Sequence, residues 1–201
     1  MLLLEGTFPY VSGGVSSWVN QIVRGFPEYR FGAVFLGSRR EDYGEMRYPL
    51  PENFVHLEVH YVQDVRDPPA AASHRGDASA FELNARLHDA LRAAREPGAH
   101  RPSPGEAGDL LRRMVPQLAD GQPLSERAFL YSERSWEFVT DQYRRFCTDP
   151  SFVDYFWTVR IMHSPIWMLA KIAGSLVPAG CYHSISTGYA GLLGAMLRQR
   201  T

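Results

Sequence analysis

Leu2-Leu3-Leu4-Glu5-Gly6-Thr7-Phe8-Pro9-Tyr10-Val11-Ser12-Gly13-Gly14-Val15-Ser16-Ser17-Trp18 opens the chain, and its reading decides the fold. Leu2 to Leu4 is a short apolar run stopped by Glu5-Gly6, the pattern of a strand buried on both faces of a parallel sheet. Thr7 to Gly14 reads as a loop. Beyond it Val15, Trp18, Val19, Ile22, Val23 and Phe26 recur at spacings of three and four, so they share one helical stripe. Pro27 ends that helix because it has no N–H to give the ladder.

Working outward, residues 31–36 and 54–62 are rich in valine, phenylalanine and leucine and are bounded by Gly37-Ser38 and Pro51-Glu52-Asn53, which marks two more strands. Strand, glycine-containing loop, helix, strand is the start of a right-handed βαβ unit, and such units build doubly wound sheets. The far end repeats the plan, with a strand over 181–185, a turn at Ser186-Thr187-Gly188 and a helix over 189–198. The expected fold class is α/β: a Rossmann-like domain with a parallel sheet flanked by helices.

Between these ends the composition of residues 66–130 shifts toward alanine, arginine, proline and glycine. Asp67-Pro68-Pro69 stands at one end and Glu96-Pro97-Gly98-Ala99-His100-Arg101-Pro102 inside. This predicts a helical insert with short helices near 81–95 and 105–118 on a mobile linker. Trp136, Val139, Tyr143 and Phe146 then resume the helical stripe, and Ser151 with Asp154 forms a capping pair before a helix carrying Phe152, Phe156 and Val159. Pro165 is expected to kink or restart that helix, which runs towards Leu176.

The chain has 201 residues, a length at which one core is the default. Hydrophobic residues make up 45% and charged residues 21%, ordinary for a globular protein. The formal charge of -1 leaves no net field to gather nucleic acid or an anionic membrane. Cys147 and Cys181 lack CxxC spacing and read as reduced, buried thiols. The opening Met1-Leu2-Leu3-Leu4 is too short for a signal peptide and no run suits a transmembrane helix, so the cytoplasm is the expected compartment.

The paired Gly13-Gly14 before Val15 is the first candidate for chemistry. Without a Cβ, backbone amides at a helix start approach an anion closely, and the helix end adds partial positive charge. Glycines also serve simply to make a turn. GxGxxG and GKS/T are both absent, which argues against dinucleotide cofactors and ATP hydrolysis. The second candidate is Tyr182-His183-Ser184-Ile185-Ser186-Thr187-Gly188: a histidine at the carboxyl end of a parallel strand either faces a ligand cleft or is hydrogen-bonded within the core. His163 reads as structural, orienting a helix break before Pro165. His56 and His60 share a strand face without a partner at metal spacing. Arg39-Arg40-Glu41-Asp42 reads as a solvated loop. Trp136, Phe156, Trp157 and Trp167 read as core rather than as a sugar-stacking platform.

The opening stretch through Trp18 resembles the start of the PelF-type glycosyltransferases of bacterial Pel exopolysaccharide synthesis, and residues 182–194 are similar to a later strand-loop-helix of the same family. The resemblance covers essentially the whole chain, least securely over 66–130. It implies the amino-terminal domain of a GT-B enzyme, one of two Rossmann-like domains around a cleft, which retains anomeric configuration and needs no metal or cofactor beyond a UDP-sugar donor. On this resemblance Gly13, Gly14 and Val15 face the donor phosphates and His183 is the candidate catalytic residue. Tyr10, Ser186, Thr187 and Gly188 are candidates for the acceptor side of the cleft. The surroundings of His183 depart from the commoner His-x-His pattern.

The partners implied are a nucleotide sugar, a saccharide acceptor and an inner-membrane polysaccharide synthesis complex, with no nucleic acid. The family continues past Thr201 into a second, donor-binding domain, so these residues alone are expected to be inactive. One alternative is a non-catalytic domain that binds a partner protein of such a complex. A weaker one is a nucleotide-cofactor oxidoreductase, for which Glu41 or Asp42 would be the acidic residue but the GxGxxG turn is missing.

Overall fold

The structure, a computed structural model, describes residues 1–64, 69–71, 73–94, 103–148 and 151–199. In chain order its elements are β1 (Leu2–Glu5), α1 (Gly14–Gly25), β2 (Phe31–Gly37), β3 (Phe54–Tyr61), α2 (Ala78–Ala93), α3 (Pro104–Met114), α4 (Glu126–Tyr131), α5 (Glu133–Phe146), α6 (Phe152–Ser175), β4 (His183–Ser184) and α7 (Tyr189–Arg198), with short 3-10 turns at Arg40–Asp42 and Val115–Leu118. The chain divides into two compact units, Met1–Arg66 with Ile172–Thr201, and Asp67–Lys171.

The first unit is a four-stranded sheet in the order β3-β2-β1-β4, parallel throughout. Leu2 pairs with Ala33 on one side and with His183 on the other. Side chains alternate across a strand, so Leu2 and Leu4 face one way and Leu3 the other. Leu2, Leu4 and Ala33 pack with Val19 and Val23 of α1, together with Phe8 and Phe54. Leu3 reaches α7 instead: a Cβ on Gly194 would lie 3.3 Å from its Cδ1. Helices thus cover both faces, and the α/β, Rossmann-like architecture read from the sequence is the one observed. Burying Val19 or Val23 contributes about 1.5–3 kcal/mol each relative to exposure.

The α1 stripe is narrower than its spacing suggested. Ser16, Val19 and Val23 are buried, whereas Val15, Trp18 and Phe26 are exposed. The strand expected over 181–185 shortens to two residues. Past its carboxyl end Ser184 Oγ donates to the Ser186 carbonyl at 2.7 Å, a local bond outside the ladder. Of the two thiols expected to be buried, Cys147 is half-buried and Cys181 is exposed.

The second unit is helical. Asp77, Ser103 and Ser132 cap α2, α3 and α5 by accepting from the N–H groups of Ala80, Glu106 and Ser135. Phe81, Leu83, Leu87, Leu110, Phe129, Phe138 and Val139 are buried. On α5 the buried face is Ser135, Phe138, Val139 and Gln142, so the Trp136–Phe146 stripe read from spacing is rotated outward and Trp136 is exposed. Ser151 Oγ accepts from the Asp154 N–H at 3.3 Å at the start of α6, as the capping pair predicts. Pro165 does not restart that helix, which runs on to Ser175. The fixed φ of proline suits a helix, and buried Trp167, Leu169, Ile172 and Ala173 hold the following turns in place. Helices stand at Ala78–Ala93 and Pro104–Met114, against the expected 81–95 and 105–118. Arg66, Asp67-Pro68 and the 96–102 stretch lie outside the described residues, as does Thr201. No described helix is long and apolar enough to cross a membrane.

Candidate functional site

In open parallel sheets ligands bind beside the carboxyl ends of the strands, where the connecting loops leave a crevice. Here that edge is set by Glu5 of β1, Gly37 of β2, Tyr61 of β3 and the chain beyond Ser184 of β4. Directly after Glu5, Gly6 adopts φ 59°, a left-handed conformation that glycine takes at little cost, and its N–H donates to the Leu36 carbonyl at 2.9 Å. The Thr7 carbonyl then accepts from the N–H groups of Tyr10 and Val11 at 3.1 and 3.0 Å, closing a turn around buried Phe8. Phe8-Pro9 is a cis peptide. The Thr7 hydroxyl is buried without a hydrogen-bond partner among the described residues.

This turn seats Tyr10 on an aromatic floor. Its ring lies 4.8 Å from that of Phe35, Phe35 is 5.1 Å from Tyr43, and Tyr43 is 5.8 Å from Tyr61. Burial first, and then the neighbouring Tyr61, raise the Tyr10 phenol above its ordinary range, so it remains a neutral hydrogen-bonding group at physiological pH. The Ser38 N–H donates to the Tyr43 hydroxyl at 3.1 Å, and the Arg40 guanidinium stands 5.1 Å over Tyr61. Arg40–Asp42 forms an exposed turn, in keeping with a solvated charge run.

Two helices begin at this edge, and their amino ends differ. Gly13 precedes α1 in extended conformation, with no side-chain cap and no acidic residue in the first turn. Gly13 and Gly14 are exposed, and a Cβ on either would meet nothing within 4 Å. The partial positive charge of this helix end therefore faces open space. At α7 the position is filled. The Glu5 Oε2 accepts from Ser186 Oγ at 3.1 Å and from the Ala190 N–H at 3.2 Å. A Cβ on Gly188 would come within 2.6 Å of that oxygen. Burial first, and then the nearby Glu5 carboxylate, raise the Tyr189 phenol.

Tyr10, the Gly13-Gly14-Val15 start and the Ser186-Thr187-Gly188 turn all belong to loops or helix starts at this edge. His183 does not. Its register is level with Leu2, three residues before Glu5, or about 10 Å along the strand. The expectation that it sits at a strand's carboxyl end is corrected, because β4 begins at His183 instead of ending there. Its exposed imidazole packs 6.0 Å from the Trp18 ring, and it lines a cavity of about 740 Å³ with Met1, Tyr29, Arg30 and Val55 at the amino ends of the strands.

His56, His60, His88 and His163 are engaged by a carboxylate or by ring stacking. His56 and His60 share one face with Glu58 between them, at 3.0 and 3.2 Å from its two carboxylate oxygens. Among the described residues no group of His, Cys, Asp or Glu is placed to hold a metal. The His163 Nδ1 N–H donates to the Val159 carbonyl at 2.7 Å and its ring stacks on Phe129 and His88, a structural role without a helix break. Trp167 is core, with its indole N–H given to the Leu124 carbonyl, whereas Trp136 and Trp157 are exposed. Sequence reasoning did not single out Glu5, whose carboxylate fills the start of α7. The available signal was an acidic residue closing a doubly buried strand, immediately before a glycine.

Fold and edge together define a Rossmann-like α/β domain whose polar loops gather at the carboxyl ends of its strands. The chain belongs to the family described as Domain of unknown function (DUF3492), which matches it over residues 1–201. No curated protein and no solved structure matches it.

Proposed function

We propose that this chain is the amino-terminal domain of a retaining GT-B glycosyltransferase of the PelF type, which transfers a sugar from a UDP-sugar to a growing exopolysaccharide. The observation that carries this reading is the uncapped amino end of α1, where Gly13, Gly14 and Val15 leave backbone amides open to an anion at the ligand-binding edge of the sheet. Donor phosphates supply that anion. Tyr10, Ser186, Thr187 and Gly188 offer hydroxyl and backbone groups to the saccharide side. Transfer then depends on holding the leaving diphosphate against the acceptor hydroxyl while charge develops at the sugar. The resemblance to the PelF type places the rest of the donor site in a second domain, with no metal or cofactor and a cytoplasmic setting. Its histidine role is not carried to His183, which lies level with Leu2.

The test is calorimetric binding of UDP-glucose to the chain and to a Gly13→Val, Gly14→Val double variant. A Cβ at either position meets nothing within 4 Å, so the fold is expected to be kept while the branched side chains block access to the amides. Binding lost in the variant supports the reading, and equal binding by both proteins refutes the assignment of the glycine pair.

A second reading, a domain that binds a partner protein of an exopolysaccharide assembly complex, is favoured by one feature of the helical unit. Val153, Trp157 and Ile161 follow one another at spacings of four on α6, and all are more than half exposed, at 63%, 56% and 67%. A Trp157→Ser, Ile161→Ser variant that still binds UDP-glucose but no longer copurifies with the synthesis complex would favour this reading.

A further inference from the structure

Among the described residues the Glu5 carboxylate is held from one side. Oε2 takes both described hydrogen bonds, from Ser186 Oγ and the Ala190 N–H, which fix the plane of the group. An ionised carboxylate offers about four lone-pair sites over its two oxygens, so a group held through Oε2 alone retains accepting capacity at Oε1. Glycine at 188 leaves the carboxylate uncovered, since a side chain there would come within 2.6 Å of Oε2 and 2.8 Å of Oε1. Two residues on, the Thr7 hydroxyl is buried and unpaired, a second polar group at the end of β1 with bonding capacity in hand. Glu5 also neutralises the amino end of α7, so a phosphate has no place there. What the free oxygen accepts from is a donor group, and a polyol supplies such donors at fixed geometry.

We infer that Glu5 is a ligand-binding residue whose Oε1 accepts a hydrogen bond from a saccharide hydroxyl, with Ser186 and Ala190 holding the carboxylate in position. This rests on the glycosyltransferase reading and deepens it. The two helix starts divide the work: α1, open and positive, takes the anionic part of the ligand, and the loop before α7, carrying a negative group, takes hydroxyls. Ser186 acts through Glu5 as a positioning residue.

The experiment compares UDP and UDP-glucose binding by calorimetry for the 201-residue chain and for Glu5→Gln. Amide spectra are recorded in parallel during titration with glucose, galactose and N-acetylglucosamine. The expected result is about a tenfold loss of affinity for UDP-glucose in Glu5→Gln, the size of one hydrogen bond to a charged group, with UDP affinity unchanged. At least one monosaccharide shifts the Ser186 and Ala190 amides of the unaltered protein and does so less in the variant. Saccharide shifts without UDP binding would sink the nucleotide-sugar reading and leave the role of Glu5 standing. UDP binding with no added affinity for UDP-glucose and no saccharide shift would overturn the role of Glu5 alone. If Glu5→Gln does not fold, the titration of the unaltered protein decides by itself: unmoved Ser186 and Ala190 amides overturn the inference.

Discussion

The Ala190 N–H donates to Glu5 Oε2 at 3.2 Å, joining the last residue of the first strand to the first turn of the last helix, 185 positions apart in sequence. A buried-sheet strand is closed by a carboxylate because that carboxylate caps a helix arriving from the far end of the chain. The contact ties β1 to α7 and gives the polar edge of the sheet a fixed point.

That relationship makes Gly188 costly to replace. An alanine there would press its Cβ to within 2.6 Å of the Glu5 carboxylate, which must swing away and release Ser186 and Ala190. Gly188→Ala is expected to cost about 1–3 kcal/mol in urea unfolding, the range for losing a helix cap or stranding a buried polar group. In a Glu5→Ala background the same substitution costs much less, because the clash and the bonds are gone together. Additive effects in this double-mutant cycle would contradict the geometry.

Glycines elsewhere on the edge separate by what surrounds them. A Cβ on Gly37 would stand 2.7 Å from Tyr43, with Phe35 and Tyr61 at 2.9 Å, all ring atoms of the packed aromatic floor. Gly37→Ala is expected to lower stability by about 1–3 kcal/mol through overpacking. Gly14→Ala, with nothing nearby, should leave the unfolding midpoint unchanged or slightly raised. Equal effects at the two positions would contradict this packing.

Most of the sheet was legible because its signals are local. Leu2 to Leu4, residues 31–36 and the helix over 189–198 announce themselves by apolar runs, by spacing and by flanking glycines, and the observed elements begin and end within a residue or two of them. What failed depended on distant partners. Which face of α5 is buried is decided by α2 and α4, so Trp136 looked like core and lies outside. That β4 begins at His183, level with Leu2, is set by its pairing with β1 at the other end of the chain and not by any local pattern. The Glu5 contact pairs residues at opposite ends of the chain, and no periodicity reports it.

The helical unit carries a pH dependence of its own. His88 stacks on His163 at 5.5 Å, and burial, with His163 and Arg92 beside it, lowers its pKa to about 4. Burial lowers that of His163 as well. Unfolded chain takes up these protons near the ordinary value of 6.5 while folded protein does not. Stability is therefore full above pH 6.5 and lost as the pH falls towards 4, by up to about 3 kcal/mol from His88, less what partial exposure screens. Urea midpoints between pH 7.5 and about 4.5 should fall, and fall less steeply in His88→Leu. An equal slope in both proteins would assign the effect to other groups.

Asn84 offers a gain. It is 8% exposed on α2, and its amide nitrogen Nδ2 is buried with no hydrogen-bond partner. Asn84→Leu, which has the same number of side-chain heavy atoms but more bulk, removes an uncompensated desolvation and should raise stability by about 1 kcal/mol where the site accommodates it, read as a higher melting temperature. A fall in melting temperature would show that the amide has a partner, such as a bound water.

On the proposed reading the anionic part of a ligand binds at the open start of α1 and not at the start of α7, which Glu5 fills. Titrating the isotope-labelled protein with UDP and following backbone amides tests this most directly. Progressive shifts are expected at Gly14, Val15 and Ser16, with Ala190 and Gly191 unmoved. Shifts at α7 with a silent α1, or no shift at either helix, would contradict it.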